Sequence, residues 1–177
     1  MKPGLLAVVI IGGFALGAGL STLWRDEAPA LDMTSRALDS FARACLPGAM
    51  GADVPTPEAL GLTATDVRDG GDPIWIDPQA GALLRFSASG CSVRISEPDL
   101  VARIDMKALG QRLAARLATD LPALKYDKPD ELNWPYLEGW ASGVRGTDER
   151  WGVVLAKSAA NADASSQVIL SLTYPKR

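Results

Sequence analysis

The first 25 residues limit the possible structure and location of this chain more than any other part of it. The segment from Gly4 to Trp24 reads GLLAVVIIGGFALGAGLSTLW and contains no charged residue. As a helix it would span about 31 Å, which matches a hydrocarbon core of about 30 Å. Because backbone polar groups in that core must bond internally, a helix is the form expected for this segment. Residues 1–25 are therefore predicted to be an N-terminal membrane anchor or signal segment.

The charges around this segment predict its orientation. Lys2 and the amino terminus outweigh the flank after Trp24, so the N-terminus should stay in the cytoplasm. The rest of the chain would then lie in the periplasm of a bacterium, held to the inner membrane by a single pass through residues 4–24. The alternative is secretion to the periplasm, because Ala28 and Ala30 supply small residues for a cleavage site following Ala30.

Small residues also line part of the apolar segment. Gly13 and Gly17 form a GxxxG pattern, and such residues let two transmembrane helices approach closely. They are the candidate face for a helix partner. The alternative is that glycine is simply frequent in membrane helices and signal peptides.

Several kinds of chemistry are excluded by composition. The sequence has no histidine, which removes Ser-His-Asp and Cys-His nucleophile systems and His-ligated zinc. Two cysteines cannot make a four-thiolate metal site, and Asp66, Asp69 and Asp72 are too sparse for a calcium loop. A net charge of -3 without a basic run gives no footprint for nucleic acid. No catalytic residue, cofactor or metal ligand is predicted.

Two helices are predicted after a linker at residues 26–34. The first runs from Leu31 to about Met50, capped by Asp32 or Thr34 and stopped by Pro47-Gly48. The second begins at the sequence Ser-Glu-Pro-Asp of residues 96–99 and continues to about Thr119, before Pro122. Residues 35–177 are assigned to one exported domain.

The strand patterns complete the predicted fold. Residues 51–71 are rich in Pro, Gly, Thr and Asp and are predicted to be irregular. Apolar and polar residues alternate over residues 84–88 and 91–96, which indicates an antiparallel hairpin with one buried face. Further strands are predicted at Trp140–Arg145, Trp151–Lys157 and Gln167–Tyr174. The fold class is α+β, with two helices packed on an antiparallel sheet of about five to six strands.

The two cysteines predict a disulfide bond. Cys45 falls on the apolar face of the first helix, and Cys91 falls on the inward face of a strand. Inward cysteines in an oxidising compartment usually pair, and a loop of this length gives about 4 kcal/mol of stabilisation. The alternative is a redox role, but Cys45 lies near a helix C-terminus, where the dipole disfavours a thiolate.

A short pattern surrounds these cysteines. The Phe41-x-x-x-Cys45 helix and the Gly90-Cys91-x-Val93 strand resemble a pattern in small uncharacterised bacterial envelope (periplasmic) proteins. The resemblance covers roughly residues 38–95. It implies an exported α+β domain and carries over no known activity and no catalytic residue.

Aromatic residues are concentrated late in the chain, and they motivate one of the functional hypotheses. Trp134, Tyr136, Trp140 and Trp151 form a candidate binding surface for a ligand or partner, or they fill the core. The leading hypothesis is a non-catalytic, membrane-anchored periplasmic protein that serves as an interaction, assembly or regulatory module of an envelope complex. The alternatives are a periplasmic small-ligand-binding protein with an aromatic pocket and an enzyme of unfamiliar type.

Overall fold

The computed structural model describes residues 32–129, 134–160 and 165–176. Within these ranges, no helix combines the length and apolar character needed to cross a bilayer. The predicted anchor at residues 4–24, with Gly13 and Gly17, lies outside the described residues.

The elements follow one another in the order helices, strands, helices, strands. The described helices are α1 (Met33–Ala44), α2 (Leu46–Met50), α3 (Pro98–Ala102) and α4 (Met106–Asp120). The described strands are β1 (Thr63–Asp69), β2 (Asp72–Asp77), β3 (Ala82–Ser87), β4 (Gly90–Ile95), β5 (Lys125–Tyr126), β6 (Tyr136–Ser142), β7 (Trp151–Lys157) and β8 (Val168–Thr173).

All the strands belong to one antiparallel sheet. Its order is β1-β2-β3-β4-β8-β7-β6-β5, so the C-terminal strand β8 lies in the middle and joins two runs of sequential neighbours. The predicted α+β class with an antiparallel sheet is confirmed. The predicted five to six strands are too few, because the described residues alone form eight.

Strand β1 is the main addition, and it corrects the prediction that residues 51–71 are irregular. It is an edge strand whose residues are exposed on nearly every position, so its sequence TATDVRD needs no alternation of apolar and polar residues. Its register with β2 shifts between Ala64 and Arg68. Irregularities of this kind disturb an exposed edge and reduce its tendency to pair with another chain.

Both predicted helices are divided. Helix α1 ends at Ala44, and Pro47 lies in the first turn of α2, where its missing N–H costs no helical hydrogen bond. The single helix predicted over residues 96–119 is α3 and α4. The carboxylate of Asp105 accepts a hydrogen bond from the Ala108 N–H at 3.0 Å and starts a new helix there.

The core lies between one face of the sheet, called the inner face, and the helices. Strands β3, β4, β7 and β8 direct buried residues to this face, and helices α1 and α4 contact each other above it. Helix α1 contributes Phe41, and α4 contributes a row of leucines. The largest side chains that lose all or nearly all exposure include Phe41, Leu84, Ile95, Leu109, Leu113, Leu155, Leu170 and Leu172.

Two carboxylates connect α1 to the rest of the domain. Of the two predicted caps, Asp32 is the one that caps α1, by accepting from the Ser35 N–H at 3.1 Å, and it pairs with Arg112 of α4 at 3.0 Å. Hydrogen bonds from Ser35 and Arg112 hold the pKa of Asp32 well below its usual range. Asp77 is 2% exposed, accepts two backbone N–H groups in the β2–β3 turn and pairs with Arg43 at 3.3 Å.

Candidate functional site

The aromatic residues singled out in the sequence lie mainly on the inner face. Trp140 is 6% exposed and meets the ring of Tyr126 edge-on, with 6.0 Å between centroids. Trp140 and Trp151 line a cleft of about 300 Å³ beside the segment 127–129, together with Gly139 and Gly152. Tyr136 lies elsewhere, against α4, and Trp134 is half-buried before β6. The structure therefore brings two of the four together.

Tyr136 and Glu138 form a polar pair beneath α4. Gly110 makes room for them, because a Cβ there would lie 2.5 Å from the Tyr136 hydroxyl and 2.4 Å from Glu138 Oε2. Burial and the hydrogen bond to Glu138 raise the pKa of Tyr136 far above its usual value of 10. Gly110 therefore serves a packing role in the middle of α4.

This pair gives a pH-dependent prediction. Because the pKa of Tyr136 is raised on folding, its stabilising contribution is present below about pH 10 and is lost as the pH rises through the folded-state pKa. In a spectrophotometric titration of the native protein, Tyr136→Phe should remove one late-ionising tyrosine. Tyr174→Phe should remove another, since burial also raises the pKa of Tyr174. An unchanged late step in Tyr136→Phe would contradict the pairing.

The predicted disulfide between Cys45 and Cys91 is present. Its Cα atoms are 5.4 Å apart, and both cysteines are buried, at 0% and 4% exposure. It joins the C-terminal end of α1 to β4, near the middle of the sheet. Because no solvent reaches the sulfurs freely, the bond serves the fold and offers no exposed thiol for chemistry.

The opposite side of the sheet, called the outer face, carries a second set of apolar side chains. Paired positions put Ile76 of β2 beside Leu83 of β3, Leu83 beside Arg94 of β4, and Arg94 beside Ile169 of β8. These residues alternate with the inward core residues of the same strands. A row of apolar residues interrupted by one arginine therefore crosses the middle of the outer face.

A concave apolar surface lies over β1–β4 on this face, and we call it the outer groove. Its volume is about 320 Å³. Val67 is 63% exposed, Ile76 37% and Leu83 36%, although all three are large apolar side chains. The residues that line the groove include Val67, Ile74, Ile76, Leu83, Arg85 and Arg94.

The two arginines that line the outer groove differ in their ion pairing. Arg85 donates to Asp72 at 2.9 Å and to Asp69 at 3.3 Å, so its charge is satisfied within the domain. Arg94 is exposed, and within the described ranges it has no acidic partner. The groove thus combines uncovered apolar surface with one available guanidinium group.

The other end of the outer face is covered by the chain itself. The Asp127 carbonyl oxygen and the Pro129 ring lie over Gly139, where a Cβ would be 2.8 Å and 3.0 Å from them. Asp127 is held by Arg145 and Arg150, whose hydrogen bonds lower the pKa of its carboxyl group. The segment 127–129 therefore protects β6, whereas no such segment within the described ranges crosses β2 and β3.

Two concavities larger than the outer groove lie elsewhere on the described surface. A cleft of about 810 Å³ lies at the end of β8, where Lys176 pairs with Asp148 at 2.8 Å. A second cavity of about 460 Å³ is lined by three arginines beside α1 and the β2–β3 turn. Each of these cations is engaged: Arg36 with the Gln79 carbonyl, Arg43 with Asp77 and Arg116 with Asp120. In the second cavity the exposed carboxylate of Asp39 has no ion-pair partner within the described ranges.

Comparison with known proteins does not identify the site. The chain matches no protein-family model, no curated protein and no solved structure. Within the described ranges, no group of three acidic, cysteine or histidine side chains is arranged to hold a metal ion. Asp69 and Asp72, considered above as calcium ligands, bind Arg85 instead.

Sequence reasoning missed the outer groove because its signal is weak. Ile74 and Ile76 flank Trp75, so β2 is apolar on both faces, which was the available clue. Val67 lies on the strand that was predicted to be irregular. The neighbouring positions of Arg94 and Ile169 depend on the pairing of β4 with β8, which no local pattern predicts.

Proposed function

We propose that this protein is a non-catalytic interaction module of a bacterial envelope complex and that the outer groove is its docking surface. The observation that carries the proposal is the apolar surface of Val67, Ile76 and Leu83, which stays exposed although the domain has a well-formed core. Exposed apolar side chains that cluster in a groove are a common feature of binding sites. The excluded histidine-dependent chemistry supports a binding role over catalysis.

The proposed location follows from the anchor and the disulfide bond. Residues 4–24 would hold the protein in the inner membrane, with the N-terminus in the cytoplasm and the domain in the periplasm. The buried bond between Cys45 and Cys91 supports an oxidising compartment, where such bonds form and persist. A docking domain tethered in this way would meet its partner close to the membrane surface.

Site-specific crosslinking tests the proposal. The full chain is expressed in its native host with a photoreactive phenylalanine analogue in place of Leu83. After irradiation of intact cells, we expect a crosslinked species of discrete mass in the membrane fraction, because position 83 lies inside the groove. The matched control places the analogue at Val144, which is 67% exposed and lies in the loop after β6.

Three results would contradict the proposal. One is the absence of any crosslinked species at position 83, and another is equal crosslinking at positions 83 and 144. The third is a species of twice the chain's own mass as the sole product, because the groove would then serve self-association. A heterologous species that also disappears in a second variant, Ile76→Asp, would assign the contact to the groove.

A further inference from the structure

We propose that the outer groove selects a protein segment that presents a carboxylate beside apolar side chains and that Arg94 is the residue that selects it. This inference rests on the proposed function and names the chemistry of the partner. Arg94 lies next to Leu83 in the paired strands, so its guanidinium group stands at the border of the apolar surface. An apolar segment without a charge would leave this cation beside a desolvated contact.

Arg94 is the arginine of the groove that lacks an acidic partner within the described ranges. Asp69, the acidic residue lining the groove, is bound to Arg85, and so is Asp72 next to it. Arg94 is therefore the available cation, and a guanidinium group binds a carboxylate through paired, charge-assisted hydrogen bonds. A basic segment would meet Arg94 with repulsion.

The spacing of the strands defines the arrangement that the partner needs. Ile76, Leu83 and Arg94 lie on consecutive strands, so their positions are separated by about 5 Å per strand. A carboxylate on Arg94 would then lie about 5–10 Å from an apolar side chain in the groove. In an extended segment, residues i and i+2 lie about 7 Å apart and point to the same side.

Defined peptides test this selection. The full chain, oxidised and in detergent, is immobilised and exposed to three sets of labelled hexapeptides. The sets share leucine, valine and phenylalanine at the outer positions and differ in one inner residue, which is Asp, Asn or Lys. We expect wild-type protein to retain the Asp set at least about tenfold more than the Lys set, given the strength of charge-assisted hydrogen bonds.

Charge reversal makes the test specific to one residue. Arg94→Glu should invert the preference toward the Lys set, and Arg94→Lys should keep the preference for Asp with a smaller ratio. The matched control is Arg103→Glu, which reverses an exposed arginine after α3, away from the groove, and should leave the ratio unchanged. Circular dichroism confirms that each variant is folded.

Equal retention of the Asp and Lys sets by wild-type protein would overturn the inference, as would an unchanged ratio in Arg94→Glu. A ratio that falls equally in Arg103→Glu would also overturn it, because the effect would then come from net charge. Such failures leave the crosslinking result at position 83 intact, so the loss of this inference and the loss of the proposed function are distinguishable.

Discussion

Replacing Cys45 and Cys91 together with alanine is expected to lower the free energy of unfolding by about 4 kcal/mol. The bond closes a loop between residues that are 46 positions apart, and it ties the end of α1 to β4. Its loss enlarges the conformational freedom of the unfolded chain. The measurement is urea unfolding of the full chain in detergent, followed by tryptophan fluorescence without reductant.

Reductant provides the matched control for this prediction. Wild-type protein in dithiothreitol should unfold at the same urea concentration as the double variant, because both then lack the crosslink. Since a domain is typically stable by only about 5–15 kcal/mol, the crosslink makes up a large share of its stability. A loss below about 1 kcal/mol would show that packing alone holds α1 on the sheet.

The disulfide could be predicted because its evidence is local. Cys45 follows Phe41 by four residues on one helical face, and Cys91 alternates with polar neighbours on a strand. Helical and strand periodicities therefore place both sulfurs in the core before any tertiary structure is known. The same periodicities predicted the limits of β7 and nearly those of β8.

The division of the second helix shows where local evidence misleads. Residues 96–119 have a good start signal and sufficient apolar spacing for one helix. The chain leaves the helical conformation after α3, and Ile104 lies in the core at 5% exposure. Asp105 then caps α4, where the second helix begins. An aspartate inside an apolar pattern can stand on a helix surface or start a new helix, and only packing decides between the two.

The outer groove shows a different limit. Its residues come from four sequential strands, but β1 is polar and exposed, so the sequence gives it no buried face. Trp75 of β2 pairs with Leu84 of β3, and Leu84 is completely buried. The face of β2 that carries Trp75 is therefore the face directed at the helices. The exposure of Ile76 and Leu83 then follows from the fold and could not be read from their apolar character.

Replacing Phe41 with alanine is the second change with a large expected effect, a loss of about 3–5 kcal/mol in the free energy of unfolding. Phe41 has no exposed surface and is among the largest side chains of the core. Its removal leaves a cavity between α1 and the sheet, which the crosslinked helix cannot close freely. The measurement is the same urea unfolding, with Leu83→Ala as the control because Leu83 is 36% exposed.

The two large effects should also depend on each other. Phe41 and Cys45 lie one helical turn apart on the face of α1 that meets the sheet, and the Cys45 N–H donates to the Phe41 carbonyl at 2.9 Å. With the bond reduced, Phe41 is the largest buried side chain that holds α1 on the sheet, so Phe41→Ala in dithiothreitol should lack a cooperative unfolding transition at 37 °C. A cooperative transition that persists under these conditions would contradict this dependence and show that the remaining contacts of α1, among them the Asp32–Arg112 and Arg43–Asp77 pairs, are sufficient.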